Sequence, residues 1–282
     1  MTPVDVKAAW RAYDQHALEH ARTCELKVDP VDLGNPCATY EDITFVSPDG
    51  QPVHVRAIVP TSGGPHPTVL MFHDATRGMR GWHHMTRFVA LGYAVLALES
   101  RPGVQGVLVQ EPLTVGDGLG IAMRVRGQQP PLMGRVLDEQ TADAVRKTYM
   151  DALVLAHVAP CITGVDPTRL VGWGEGLGGG IALVTAAVAG LAGACVLNPM
   201  PAALDDSCAM VDVACISHGC ACPVLMGTCL LDLQATPQAQ DAVARGLLDV
   251  RQITYPHYAH ERVNAFEDEM IPFLIGLASQ TA

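Results

Sequence analysis

Three residue types, met in a fixed order along this chain, outline nucleophilic chemistry with one member absent. The stretch VGWGEGLGGGIAL, Val171 to Leu183, passes from an apolar run through a glycine turn into small residues that open a helix. A turn of the form Gly-x-nucleophile-x-Gly lifts a serine above the end of a sheet, where a base can reach it. Here the pattern reads Gly174-Glu175-Gly176-Leu177-Gly178, and its apex, Gly176, has no side chain. Further on, CPVLMGTCLLD ends in Asp232, and VRQITYP leads into HYAHE, which offers His257 and His260. A histidine can take a nucleophile's proton, and a carboxylate can hold the imidazole in the required tautomer. The acid and base follow the turn in the right order; the nucleophile does not.

Other readings of the same residues are weaker. Gly172, Gly174 and Gly176 form a G-x-G-x-G run, but a dinucleotide cradle belongs in the first strand-to-helix turn, with an acidic ribose anchor about 20 residues on. This run follows at least four strand-like segments, and CVLNPM stands where that acid should be. An aspartate at a strand end, taken alone, is more often a helix cap than an acid. His218, Cys220 and Cys222 in SHGCACPVLM are the nearest approach to a metal signature. Structural zinc sites favour cysteines two to four residues apart with a second ligand pair elsewhere. These cysteines are therefore expected to be packed thiols, with no metal and no cofactor.

The elements that must position these groups can be read from periodicity. ATYEDITFVSPDGQPVHVRAIVP alternates on both sides of Pro48-Asp49-Gly50, which predicts a hairpin turning at Asp-Gly. HPTVLMFHD, GYAVLALESR, TRLVGWG, GACVLNP, CPVLMGTCLLD and VRQITYPHYAH are short apolar runs suited to strands buried on both faces. Helix-length segments lie between them: one from about Met85, one from Asp138 to Ala159, one after the glycine turn, and PQAQDAVARGL. The expected fold is α/β, a mostly parallel sheet of about eight strands with helices on both faces. Residues 1–282 read as one domain with an N-terminal helical extension at about 1–30, whose Trp10 and Tyr13 look like contact residues for a second copy. The Pro- and Gly-rich stretch from Pro102 to Gly134 is a long connection of the kind that often carries function.

Composition narrows the function classes. With 18 basic and 29 acidic residues the net charge is −11, which repels phosphate backbones and argues against nucleic acid. No apolar run is long enough to span a membrane. The start of the chain has no basic segment followed by an apolar one, and the nine cysteines are odd in number and scattered, so reduced thiols in a cytoplasmic protein are expected.

Over roughly residues 40 to 278 the chain resembles the acetyl xylan esterase and cephalosporin C deacetylase family of α/β-hydrolases. The resemblance rests on VALGYAVLALESRPG, MGRVLDEQT, YMDALVLA, DPTRLVGWGEGLGGGIAL, CPVLMGTCLLD and YPHYAHE. In that family the turn reads Gly-Gly-Ser-Gln-Gly-Gly-Gly, which sets the nucleophile on Gly176. The resemblance implies Asp232 as acid, His260 rather than His257 as base, and the backbone N–H groups of Ala75 and Leu177 as an oxyanion hole. It also implies a homo-oligomer and a small acetylated sugar or ester as ligand.

Two departures qualify this. One is Gly176. The other is His73-Asp74-Ala75, where the family has His-Gly-Tyr; a carboxylate here would oppose a developing oxyanion unless it points away or is protonated. Two functions are therefore expected side by side. One is an acetyl-esterase scaffold that is weakly active or inactive; the other is a non-catalytic protein that keeps the pocket to hold an acylated sugar, a small ester or a protein partner.

Overall fold

A computed structural model describes residues 3–74, 81–101 and 134–279. Among these, nine strands form one sheet in the order β1-β2-β3-β5-β4-β6-β7-β8-β9. The strands are β1 (Lys27–Pro30), β2 (Ala38–Val46), β3 (Pro52–Pro60), β4 (His66–Phe72), β5 (Ala94–Leu98), β6 (Val165–Glu175), β7 (Gly193–Leu197), β8 (Val224–Cys229) and β9 (Val250–Tyr255). From β5 through β4, β6, β7 and β8 to β9 the pairing is parallel; β1, β2, β3 and β5 pair antiparallel. The hairpin turns at Asp49-Gly50, with Val46 opposite Pro52.

The helices are α1 (Pro3–Ala21), α2 (Trp82–Val89), α3 (Glu139–Val158), α4 (Leu177–Ala189), α5 (Val213–Ile216), α6 (Pro237–Gly246) and α7 (Asn264–Ser279). None is long and apolar enough to cross a membrane. Their side chains divide into two cores, one on each face of the sheet. Leu70, Phe72, Leu96, Leu98, Ala194 and Val196 join the core under α1, α3 and α4. Their strand neighbours Val69, Met71, Val95, Ala97, Cys195 and Leu197 join the core under α2 and α7. Successive strand residues point to opposite faces, so a strand covered on both sides must be apolar throughout. That is why these segments read as unbroken apolar runs.

Two expectations about the N-terminal region change. Residues 27–30 are a strand, not part of a helical extension; all four are exposed, so burial leaves no period in them. Nor is Trp10 a contact for another copy. It is fully buried, its indole N–H donates to the Met210 carbonyl at 3.1 Å, and its ring meets Tyr149 of α3 edge-on at 5.7 Å. Tyr13 packs against Trp10, with ring centroids 5.0 Å apart. The amphipathic face was legible in sequence, but its cover is α3 of the same chain.

Candidate active site

The site forms where β4, β6, β8 and β9 end. The first structural requirement is close approach. A Cβ on Gly178 would lie 2.3 Å from the Phe72 carbonyl oxygen, so the first turn of α4 can touch the end of β4 only without side chains. This accounts for the glycine run that begins α4. Gly176 occupies the sharp turn between β6 and α4, with φ 56° and ψ −123°, a conformation that favours glycine.

Asp232 and His260 come from the ends of β8 and β9, and His260 Nδ1 stands 2.7 Å from Asp232 Oδ2. Asp232 is not a helix cap: it closes a local turn and holds the imidazole at the same time. Its Oδ1 accepts the backbone N–H groups of Gln234 and Ala235 at 2.8 and 2.9 Å, while Oδ2 faces the imidazole. Helix α6 is capped by Thr236 instead. His257 is exposed.

The third member of the cluster is Asp74, two residues past β4 and buried. Its Oδ2 is 3.3 Å from His260 Nε2, and its Oδ1 accepts the Leu177 N–H at 3.2 Å. A Cβ built on Gly176 would fall 2.2 Å from Asp74 Oδ1 and 2.9 Å from His260 Nε2. The carboxylate therefore fills the space in which a side chain at position 176 would start. Ala75 and most of the long connection lie outside the described residues, so of the two expected backbone donors only Leu177 can be placed, and Asp74 engages it.

Electrostatics follow from this arrangement. Burial alone would lower the pKa of His260, but hydrogen bonds to Asp232 and Asp74, and their charges, outweigh it and raise it to about 10. The imidazole is thus an imidazolium at neutral pH. A pocket of about 10 Å³ lies here, lined by Asp74, Glu175, Gly176, Leu197, Asn198, His260 and Glu261. That is about the space of one water. The larger cavity, about 240 Å³, lies at the other end of the sheet beside Pro167, Leu170 and Leu191. Its histidine, His157, is held by Asp14 at 2.7 Å, so charge and geometry favour the smaller pocket as the reactive one.

The cysteine cluster is different in kind. Cys220 and Cys222 face each other with sulfurs 3.5 Å apart, and His218 is exposed. The hydrogen bond with Cys222 brings the Cys220 thiol down to about 7 against burial, with help from the Lys7 charge. Among the described residues no group of three His, Cys, Asp or Glu side chains is placed to hold a metal.

Similarity to known proteins follows the same outline. Acetyl xylan esterase 1 from a Thermoanaerobacterium species matches with a TM-score of 0.75 at 21% identity, over 96% of this chain and 94% of that one. An acetyl xylan esterase from a Paenibacillus species also gives 0.75, at 17% identity over 95% and 94%. A cold-adapted esterase from an Arctic intertidal metagenomic library gives 0.61 at 14% identity, over 90% and 100%. Identities this low show the shared α/β-hydrolase fold. The family model described as acetyl xylan esterase (AXE1) matches residues 2–200, which takes in the Gly176 turn and Asp74 but ends before Asp232 and His260. With that match over most of its length, the chain belongs to the acetyl xylan esterase family.

Proposed function

We propose that this chain is an acetyl-esterase-like hydrolase scaffold whose nucleophile position is taken by Gly176, and that it hydrolyses small acetyl esters weakly or not at all. The observation that carries this is the placement of the Asp74 carboxylate in the side-chain space of residue 176, on the N–H of Leu177. An acyl oxyanion in that position would meet a carboxylate where it needs a donor. In the intended triad Asp232 orients His260, and His260 would deprotonate a hydroxyl. The first contact is in place, but with no hydroxyl at 176 and a proton already on His260 the second step cannot begin.

The same observation favours a non-catalytic role over a simple loss of one side chain. Removing a serine leaves a hole, whereas here the hole is filled by a residue from another strand end. In this reading the chain binds a small ester or acylated sugar, or a protein partner, around the filled turn without turning it over. A homo-oligomeric assembly is proposed on the family resemblance alone, and light scattering at micromolar concentration tests it. The activity test is acetate release from p-nitrophenyl acetate and from acetylated xylose. Release at the buffer rate is expected. Robust release that His260→Ala abolishes would overturn the proposal and point to water activated directly by His260.

A further inference from the structure

A second group of nucleophilic side chains lies away from this site, on the turn that feeds β8 from its other end. The chain leaves α5 at Ile216, passes through His218 and Gly219, and enters β8 at Val224. Cys220 is anchored on that turn: its N–H donates to the Ser217 carbonyl at 2.9 Å, and its carbonyl accepts the Leu248 N–H at 3.0 Å. Two residues on, Cys222 brings its sulfur to 3.5 Å from that of Cys220. A cation completes the group. Lys7, from α1, reaches over the turn and donates to the carbonyls of His218 and Gly219, each at 3.4 Å. Two sulfurs in contact and an ammonium thus share one short turn.

A packed thiol is inert when burial holds its proton, and several cysteines here are of that kind. Burial raises Cys215 and Cys229 to about 11, and it raises Cys195 as well. Cys220 goes the other way, down to about 7, because the hydrogen bond from Cys222 outweighs burial and the Lys7 charge adds to it. Cys222 is kept a thiol, chiefly by that same hydrogen bond. A thiolate poised next to a second thiol is the arrangement that oxidants select. We propose that Cys220 and Cys222 form a dithiol site that hydrogen peroxide oxidises to a disulfide within the turn, Cys220 attacking and Cys222 resolving. The size of the oxidant follows from burial. Cys220 is 3% exposed, whereas Cys222 is half-buried and Ala221 between them is exposed. A molecule little larger than water can reach such a sulfur past Cys222; a bulky disulfide cannot. A disulfide bond is about 2.05 Å long, so sulfurs now 3.5 Å apart must close by about 1.5 Å. Rotation of the half-buried Cys222 side chain supplies that movement against the anchored Cys220.

The steps balance. The Cys220 thiolate attacks one oxygen of hydrogen peroxide as the O–O bond breaks. The hydroxide that leaves takes a proton from solvent, so the first products are a sulfenic acid on Cys220 and water. Cys222 then loses its proton as its sulfur attacks the Cys220 sulfur; the S–O bond breaks, and hydroxide departs as water with that proton. The sulfurs have given up two electrons and the peroxide has accepted them. The net reaction is thiolate, thiol, hydrogen peroxide and one proton giving a disulfide and two waters. A resolving thiol already in contact stops the oxidation at its reversible stage, short of the sulfinic and sulfonic acids.

This site is independent of the acyl-transfer reading. The test treats the full, reduced chain with hydrogen peroxide at neutral pH and follows each thiol by alkylation and peptide mass spectrometry. Cys37 and Cys161, both exposed, serve as internal references. The expected result is a bridge between Cys220 and Cys222 that dithiothreitol reverses. It should form about 10-fold faster than the references are consumed, roughly the margin in thiolate fraction between such a thiol and an ordinary one. In Cys222→Ser, whose hydroxyl can still donate to the thiolate, Cys220 should stop at the sulfenic acid and take up dimedone. Glutathione disulfide should form the bridge more slowly than hydrogen peroxide at equal concentration. Both thiols still free once the references are consumed, a bridge from either to a different cysteine, no dimedone on Cys220 in folded Cys222→Ser, or faster oxidation by glutathione disulfide would each overturn the inference. If Cys222→Ser does not fold, the thiol map of the unaltered chain decides.

Discussion

Two clusters among the described residues hold a cation between two aspartates, and they differ in whether that cation can lose its proton. In the first, Arg101 meets Asp49 and Asp151, each at 2.6 Å, and Ser47 donates to Asp151. Those contacts tie the β2–β3 turn and the end of β5 to the middle of α3. In the second, His260 lies between Asp232 at 2.7 Å and Asp74 at 3.3 Å, which ties the ends of β4, β8 and β9 together. A guanidinium stays charged at any ordinary pH, so the first cluster can only be structural. An imidazolium is a base in its spent form. The same charge pattern that braces the fold in one place holds a proton on the proposed base in the other.

The largest expected effect comes from breaking the first cluster. Arg101→Ala leaves the Asp151 carboxylate buried with its cation gone, and deleting one partner of a buried pair costs about 3–5 kcal/mol. A urea melt should show the loss. A change below about 1 kcal/mol would place the cluster in the class of screened surface pairs and end the comparison.

The next effect separates the two roles of Asp74. Gly176→Ser alone should release little acetate, because the new Cβ would meet the Asp74 carboxylate and the Leu177 donor would stay engaged. Gly176→Ser with Asp74→Gly frees both, and should release acetate about 10²-fold or more faster than the single variant, a small part of what a triad nucleophile is worth. Equal rates for the two would mean that the carboxylate yields easily and is no plug.

This coupling also marks where the sequence stops being legible. The hairpin at Asp49-Gly50, the capped start of α3 at Asp138 and the strands from β4 to β9 are local patterns, and each can be read from a short window. Asp232 and His260 could be placed because their order along the chain follows the order of the strands. Asp74 and Gly176 are about a hundred residues apart, and they meet because β4 pairs with β6. That a carboxylate here matters follows from the departure from the family's His-Gly-Tyr; that it stands in the side-chain space of residue 176 is visible only in the fold. Trp10 failed in the opposite way, since its apolar face was plain and only the covering helix was hidden. The four-residue β1 had no period to read.

A smaller effect tests the titratable half of the comparison. The pKa of His260 is raised from 6.5 to about 10 on folding, so the folded state binds the proton more tightly. The resulting stabilisation is complete below pH 6.5 and is lost as pH rises toward 10. Between pH 7 and 10 the chain should lose unfolding free energy through this group, by at most about 1.4 kcal/mol per pH unit. His260→Gln should flatten that part of the profile, while Arg101→Ala should lower the curve without changing its slope there. A profile that His260→Gln leaves unchanged would show that the two aspartates do not hold the proton.

The smallest effect asks whether Gly176 is required by its backbone or by Asp74. Alanine here must adopt φ 56° and ψ −123°, a strained conformation for a residue with a Cβ, which costs about 1–3 kcal/mol by itself. That Cβ would also lie 2.2 Å from Asp74 Oδ1, closer than any real contact, so the carboxylate must move as well. The two contributions separate in a double-mutant cycle, because Asp74→Gly removes the contact and leaves the turn. If both operate, Gly176→Ala should cost less in the Asp74→Gly background than in the parent, with a coupling of about 1 kcal/mol, ordinary for side chains in contact. A coupling near zero in guanidinium melts would mean that Asp74 swings aside freely. In that case the carboxylate would be a loose occupant of the pocket, and the likeness between the two clusters would be one of composition and not of rigidity.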